Sequence, residues 1–282
     1  MRQILARSRS AYPALSGAER RVADALEATP HELLRLPLKA FAERVGVSEA
    51  TVVRFCRSIG YDGFRGLRIE LATRALVTTG DSTSPVSPDD DVATITDKVL
   101  RSGIRVLTDT LATIDADAVT AAVDAIVAAS RVECFAVGSS IPVALDLYYR
   151  LLRLGIPTSV ATDPHMQATS AAHLPDTAVA FGISHTGRSF ETHATFRHAR
   201  AAGARTVLVT SFRGTPIGEL ADIEIVVASP DPTLRPDAVS SRLAHLAVVD
   251  AVTVALAMRD PDRTDEALLR DDAIISEREV AR

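Results

Sequence analysis

The stretch LKAFAERVGVSEATVVRFCR, residues 38–57, carries the clearest structural pattern of the chain. Its first half places apolar residues at helical spacing on one face, namely Leu38, Phe41, Ala42 and Val45. Gly46 follows directly, and glycine readily adopts the left-handed conformation that ends a helix sharply. Ser48 then suits the N-cap of a second helix, because its hydroxyl can accept a backbone N–H bond. The stretch therefore predicts two short helices joined by a tight turn.

The second of these helices has an inner and an outer face. Apolar residues supply the inner face, namely Val52, Val53, Phe55 and Cys56. This arrangement predicts a helix-turn-helix, whose second helix lies in the DNA major groove with its N-terminal residues at the base edges. We expect those positions to be Ser48, Glu49, Ala50 and Thr51. Arg54, one turn further, can reach a guanine edge or a phosphate, while Arg57 and Lys39 suit phosphates.

The distribution of charge favours a nucleic-acid partner for this part of the chain only. The protein has 282 residues and a formal net charge of −5. Residues 1–78 hold 13 Lys and Arg against 8 Asp and Glu, a net charge of +5, so residues 79–282 have a net charge of −10. A basic region can bind DNA phosphates, whereas an acidic one repels them. The alternative for the basic region is a helical pair with a solvated basic face.

A longer stretch carries a family resemblance. Residues 48–68, SEATVVRFCRSIGYDGFRGLR, resemble the signature of the RpiR family of bacterial transcription regulators. The shared features are Ser-x-x-Thr-aliphatic-x-Arg-Phe, a Leu/Ile-Gly-aromatic-x-Gly-Phe stretch and a basic helix. The resemblance implies a DNA-binding regulator whose C-terminal part is a sugar-isomerase (SIS) domain.

The rest of the chain divides at a polar segment. Residues 79–91 consist almost entirely of Ser, Thr, Pro, Gly and Asp and predict a linker. The linker follows an all-α helix-turn-helix domain of residues 1–78. In residues 92–260 short apolar strands alternate with helices, which predicts an α/β domain with a parallel five-stranded sheet flanked by helices. This is the SIS fold that the resemblance implies. Residues 261–282 predict a charged C-terminal tail or a partly ordered helix.

Two strands of this sheet end in loops rich in glycine and hydroxyl residues. The first loop is Gly138-Ser139-Ser140, and the second is Ser184-His185-Thr186-Gly187-Arg188-Ser189, similar to the SIS motif Ser-x-Ser-Gly-x-Thr. Ligands of parallel sheets bind beyond the carboxyl ends of the strands, and amides and hydroxyls at a helix start suit phosphate. We expect ligand contacts at Ser139, Ser140, Ser184, His185, Thr186, Gly187 and Ser189. The alternative for each serine is helix capping, which needs no ligand.

Two functions fit these patterns. In the first, the protein is a transcription regulator whose SIS domain senses a phosphorylated sugar or aminosugar and modulates operator binding at carbohydrate-metabolism genes. In the second, it is a sugar-phosphate isomerase, with Glu191 as the general base that such a reaction needs. Glu191 also fits a first-turn glutamate favoured by the helix dipole. We favour the regulator and expect no catalytic residue, because a plain isomerase has no use for a DNA-binding domain.

Composition and partners complete the sequence-based expectations. With 47% hydrophobic and 24% charged residues, the chain is neither wholly disordered nor fibrous. The two cysteines, Cys56 and Cys134, are far apart in the sequence and form no CxxC motif. We therefore expect two reduced structural thiols, no metal site and no cofactor. The N-terminus lacks signal-peptide features and the apolar runs are too short to cross a bilayer, which predicts a cytoplasmic protein without a membrane partner.

We expect three kinds of binding partner. The first is a double-stranded DNA operator and the second is a phosphosugar effector. The third is further copies of the same chain, in a homodimer or homotetramer, since helix-turn-helix proteins read two half-sites as dimers. The apolar helices around residues 92–129 and 237–259 are the candidate dimer surface.

Overall fold

The computed structural model describes residues 2–29, 36–67, 86–229 and 239–278. The chain forms two compact units. The first unit comprises Met1–Ile114, Ser211–Thr215 and Val226–Ala244, and the second comprises Asp115–Thr210, Pro216–Ile225 and His245–Arg282.

The described N-terminal part is helical. Its helices are α1 (Arg2–Ala11), α2 (Gly17–Ala28), α3 (Leu38–Val45), α4 (Glu49–Ser58) and α5 (Val92–Thr113). The two short helices predicted for residues 38–57 are therefore present as α3 and α4. Their apolar faces enclose one core with α1 and α2, in which the rings of Phe41 and Phe64 stack with centroids 5.6 Å apart. Most of the predicted linker lies outside the described residues, but Asp91 caps α5 by accepting a bond from the Thr94 N–H at 2.7 Å.

The C-terminal part is a five-stranded parallel sheet with helices, as predicted. Its elements in chain order are α6 (Ala116–Ala128), β1 (Arg131–Ala136), α7 (Ile141–Arg153), β2 (Thr158–Val160), α8 (Pro164–Ala172), β3 (Ala178–Ser184), α9 (Phe190–Ala201), β4 (Arg205–Thr210), β5 (Ile223–Val226), α10 (Val239–Arg259) and α11 (Pro261–Arg278). The strand order is β2-β1-β3-β4-β5. Because β2 and β3 lie on opposite sides of β1, the chain reverses its winding direction at β1, and ligands bind at such a switch point in open α/β sheets.

Strand register brings three strand ends to one edge of the sheet. Ala136 of β1 pairs with Ile183 of β3, and Ser184 of β3 pairs with Thr210 of β4. Gly182 fixes the helix above this edge, because a Cβ at that position would lie 2.2 Å from the ring of Phe196 on α9. Only glycine therefore allows α9 to lie this close to β3.

One feature differs from the sequence-based expectation. Helix α8 was not predicted, although Asp163 accepts a bond from the Met166 N–H at 2.9 Å and Pro164 opens the helix. The described part of residues 261–282 forms α11, the helix that the sequence left open as an alternative to a tail, and its Asp271 accepts a bond from Arg153 of α7 at 2.6 Å.

One helix has the length and hydropathy of a membrane span. Within Ser241–Arg259 of α10, an 18-residue segment has a mean hydropathy of 1.5, and 44% of this segment is buried inside the protein. Val249 and Val252 of this helix have no exposed surface. The core helix of a soluble protein has the same properties, so length and hydropathy alone do not indicate a membrane span.

Candidate functional site

The first loop lies directly beyond β1. Gly138 has φ +58, which is a left-handed conformation that favours glycine, and it begins a single turn of 3-10 helix ending at Ser140. Helix α7 starts at the next residue. Ser139 is exposed and Ser140 is 8% exposed, and the Ser140 side chain makes no capping bond to α7.

The second loop lies beyond β3, on the neighbouring strand. Gly187 has φ +62, and its N–H donates to the Ser184 carbonyl at 3.3 Å, which closes the turn. The Gly187 carbonyl accepts a bond from the Ile217 N–H at 3.2 Å. Thr186 is exposed, and its Oγ1 accepts a bond from the Arg188 N–H at 3.3 Å. The loop is therefore held by its own backbone before α9 begins.

The serine hydroxyls of these two loops are not used as helix caps. Ser189 stands at the N-cap of α9, with φ −62 and ψ 125, yet its side chain makes no capping bond. Ser140 also makes no capping bond before α7, although its backbone is already helical, with φ −85 and ψ −17. Neither helix start has a side-chain cap, and the positive ends of the two helix dipoles suit an anion.

Ser184 carries the strongest sign of a ligand. Its side chain is 2% exposed, and its Oγ is buried without a hydrogen-bond partner among the described residues. Thr210, the β4 residue paired with Ser184, donates from Oγ1 to the His185 carbonyl at 3.3 Å. A buried hydroxyl without a partner costs about 1–3 kcal/mol. A ligand oxygen that accepts or donates at this position removes that cost.

Two histidines lie at the side of the second loop. The ring centroids of His185 and His245 are 6.1 Å apart, in an edge-to-face arrangement. Burial, with a smaller contribution from the charge of His185, lowers the pKa of His245 to about 3. His245 is therefore neutral at physiological pH and can act as a hydrogen-bonding group, but it does not supply a positive charge.

Two buried polar residues near the strand ends were not predicted. Gln167 of α8 has no exposed surface, and its Nε2 donates to the carbonyls of Ala136 at 2.7 Å and Ala161 at 2.9 Å. Its Oε1 is buried without a hydrogen-bond partner in the described part of the chain, as is Oγ1 of Thr192 in the first turn of α9. The Asp-Pro start of α8 was a usable signal for Gln167, whereas no sequence signal distinguished Thr192.

The helix-turn-helix presents a polar outer face. Gly46 has φ +70, and Ser48 caps α4 by accepting a bond from the Thr51 N–H at 3.2 Å. The predicted DNA-facing residues with exposed side chains are Ser48, Glu49, Ala50, Arg54, Arg57 and Lys39. Thr51 is instead 5% exposed, and its Oγ1 lies 2.9 Å from the Ser48 hydroxyl and 3.4 Å from the Arg54 guanidinium. Thr51 therefore positions Ser48 and Arg54 at the start of this face.

The remaining candidate groups have ordinary structural roles. Burial raises the pKa of both Cys56 and Cys134 to about 12, so these free cysteines stay protonated. Within the described ranges, no group of three His, Cys, Asp or Glu residues could hold a metal ion. Glu191, the candidate base of an isomerase, lies exposed in the first turn of α9.

Comparisons with known proteins match both parts of the chain. A family model described as "Helix-turn-helix domain, rpiR family" matches residues 2–76, and a SIS domain model matches residues 125–255. A helix-turn-helix-type transcriptional regulator of Haemophilus influenzae is 32% identical over 92% of this chain and 91% of its own length. The bifunctional protein glk of Paraburkholderia xenovorans is also 32% identical, but the chain spans only 40% of that relative.

Solved structures give the same result. The Vibrio vulnificus NanR protein complexed with ManNAc-6P has a TM-score of 0.63 and 28% identity, and the alignment covers 98% of this chain and 100% of NanR. The sugar isomerase domain of an RpiR transcription factor from Sphaerobacter thermophilus has a TM-score of 0.58 and 28% identity, and it covers 64% of this chain and 98% of that domain.

The fold and the two family models define a transcription regulator that joins a helix-turn-helix to an α/β domain of the SIS type. The chain belongs to the rpiR family of helix-turn-helix transcriptional regulators with a SIS domain. The family and the SIS fold that the sequence predicted are both confirmed.

Proposed function

We propose that this regulator binds a phosphorylated sugar or aminosugar at the two loops beyond β1 and β3 and changes its affinity for a DNA operator in response. One observation carries this proposal: Ser140 and Ser189 stand at helix starts without capping them, and the buried hydroxyl of Ser184 has no partner among the described residues. Capping alone does not explain these serines. NanR, a relative in fold and sequence, is described in complex with ManNAc-6P.

The ligand is held mainly by hydroxyls, amides and helix ends. We assign the phosphate to Ser139, Ser140, Ser184, Thr186, Gly187 and Ser189, and a sugar hydroxyl to His185. Oγ1 of Thr192 and Oε1 of Gln167 are further buried polar atoms that have no hydrogen-bond partner among the described residues. The net charge of −10 in residues 79–282 means that binding depends on local dipoles more than on a broad basic surface.

The DNA contacts lie on the outer face of α4. We assign base contacts to Ser48, Glu49, Ala50 and Arg54 and phosphate contacts to Arg57 and Lys39, with Thr51 holding the first turn of the helix. The domain division remains residues 1–78, 79–91, 92–260 and 261–282. A cytoplasmic location follows from this function, because the operator of a bacterial regulator is in the cytoplasm.

A second copy of the chain completes the regulator. Four apolar side chains on one face of α5 are 39–81% exposed, namely Leu100, Ile104, Leu107 and Leu111. Their spacing of four, three and four residues is that of a coiled-coil seam, which is self-complementary between two identical helices. On α10, Val254 and Met258 are 60% and 67% exposed. We propose that α5 forms the main dimer contact. Light scattering should find Ile104→Glu monomeric at concentrations where the wild type is dimeric.

Catalysis is not part of the proposal. The regulator hypothesis accounts for the helix-turn-helix, for which a plain isomerase has no use, and we assign no catalytic role to the exposed Glu191 or to His245. An isomerase would convert hexose or N-acylated aminosugar phosphates, and NMR spectroscopy of the sugars would detect the product. We expect no conversion by the purified protein.

The decisive experiment measures ligand and DNA binding together. A thermal-shift screen of hexose, pentose and N-acylated aminosugar phosphates, including ManNAc-6P, should find a compound that raises the melting temperature. The same compound should change the affinity for operator DNA in a fluorescence anisotropy titration. A compound that stabilises the protein without changing DNA affinity would contradict the sensing mechanism.

A further inference from the structure

A cavity lies in the first unit, and none of the strand-end loop residues line it. Its volume is about 340 Å³, within the size range of small-molecule sites. The lining includes Arg7 and Ser10 of α1, Arg57 of α4, Thr113 of α5 and Arg213. Arg213 belongs to the same unit and is anchored there, because its N–H donates to the Ser10 carbonyl at 3.0 Å.

The described lining of the cavity is basic. Three of the described lining residues are arginines, and none of them is Asp or Glu. Among the described residues, Arg57 and Arg213 form no ion pair, and Arg7 lies 5.3 Å over the ring of Tyr61. Arg9, also on α1, has a different environment, since it pairs with Glu27. Like charges close to one cavity repel one another, and an anion bound between them reduces that repulsion.

A buried hydroxyl supports the same conclusion. The Oγ of Ser10 is buried and has no hydrogen-bond partner within the described part of the chain. Buried polar groups in folded proteins are almost always bonded to protein, water or a ligand. An anionic oxygen in the cavity would accept a bond from this hydroxyl as well as from the arginines.

We infer that this cavity binds a second ligand, a small phosphate-bearing anion, distinct from the sugar phosphate of the strand-end loops. Guanidinium groups recognise phosphate through paired, charge-assisted hydrogen bonds, which fits a lining of three arginines. The anion would bind the guanidinium group of Arg57, which lies in the last turn of α4. The proposed function assigns Arg57 to a DNA phosphate, so the anion and DNA compete for this side chain. The competition rests on the proposed function, whereas the anion site itself does not.

Calorimetry on the full chain tests the site without DNA. The probe is inorganic pyrophosphate at constant ionic strength. We expect Arg213→Gln to bind it at least tenfold more weakly than the wild type. The matched control Arg197→Gln removes an exposed arginine of α9 and should bind like the wild type. Ser184→Ala combined with Ser189→Ala weakens any pyrophosphate bound at the strand-end loops, and in that background Arg213→Gln should cause the same tenfold loss. Equal binding with and without Arg213→Gln in both backgrounds overturns the inference.

A DNA titration separates a small anion from the DNA backbone as the natural occupant. Pyrophosphate should weaken DNA binding by the wild type and leave Arg213→Gln unaffected, while both proteins bind DNA equally in its absence. If Arg213→Gln alone weakens DNA binding and lowers its salt dependence, the cavity receives a DNA phosphate and the inference is wrong. Failure of the wild type to bind any DNA would contradict the proposed function, and calorimetry would still decide the anion site.

Discussion

Ser48 and Ser189 occupy the same position before a helix but serve different purposes. Both have extended backbone conformations, with ψ of 154 and 125, and both precede a glutamate-containing first turn. Ser48 uses its hydroxyl to cap α4, whereas Ser189 leaves the start of α9 uncapped. In the helix-turn-helix, a side chain of the same domain caps the start of α4, so this helix needs no ligand at its N-terminus. The sheet domain has no side-chain caps at the two helix starts where an anion is expected.

The largest expected effect comes from removing the hydroxyls of Ser184 and Ser189, which are available to a ligand. Ser184→Ala combined with Ser189→Ala deletes two hydrogen bonds to a charged group, each worth about 1.5–3 kcal/mol. We expect ligand affinity to fall by about 100-fold or more. Thermal-shift titration with the sugar phosphate that binds the wild type measures this effect. Thr120→Ala, on the exposed face of α6, is the matched control. Unchanged ligand affinity in the double variant would remove these serines from the site.

The second prediction concerns the exposed basic residues of the helix-turn-helix. Arg54→Ala should weaken operator binding by about 1–3 kcal/mol if the guanidinium reads a base. Lys39→Ala should instead weaken binding to all duplexes alike and lower the salt slope by about one unit. Anisotropy titrations with operator and scrambled DNA distinguish the two. If Arg54→Ala weakens both duplexes equally, Arg54 contacts phosphate and not a base.

The third prediction uses the buried histidine beside the second loop. The pKa of His245 is about 3 in the folded chain, against about 6.5 when unfolded. Below pH 6.5 the unfolded chain takes up a proton that the folded chain excludes. The stabilising contribution is therefore complete above pH 6.5 and is lost as the pH falls towards 3. Between pH 7 and pH 5 the wild type should lose about 2 kcal/mol more unfolding free energy than His245→Gln.

Urea unfolding at several pH values measures this difference. The exposed His165 gives the control, and His165→Gln should follow the pH dependence of the wild type. Parallel curves for the wild type and His245→Gln would show that His245 binds a proton equally well in both states.

The smallest expected effect distinguishes the capping Ser48 from the non-capping Ser189. Ser48→Ala removes a capping bond and should lower the free energy of unfolding by about 1 kcal/mol. Ser189→Ala removes no cap, so its effect should stay below about 0.5 kcal/mol. Urea unfolding in the absence of ligand compares the two variants. A loss of about 1 kcal/mol in Ser189→Ala would mean that its hydroxyl is a cap after all.

Local patterns predicted much of this architecture. The apolar spacing before Gly46 and the cap at Ser48 lie within a few residues of one another, so the helix-turn-helix was visible in the sequence. Short apolar runs predicted the five strands for the same reason. Helix α8 was missed because its buried residues, Gln167 and Ala171, are few and one of them is polar. Its stability depends on the bond from Gln167 to Ala136, 31 residues earlier in the chain.

The sequence by itself determined the helix-turn-helix, the alternation of strands and helices, and the hydroxyl residues at two strand ends. These features depend on neighbours along the chain, whose spacing sets backbone conformation and apolar faces. Only the tertiary structure decided which serines are caps and which remain available. That distinction depends on strand register, which buries Ser184 beside Thr210, and on the close approach of α9 that Gly182 permits. Burial and hydrogen-bond partners come from distant parts of the chain, so no local pattern contains them.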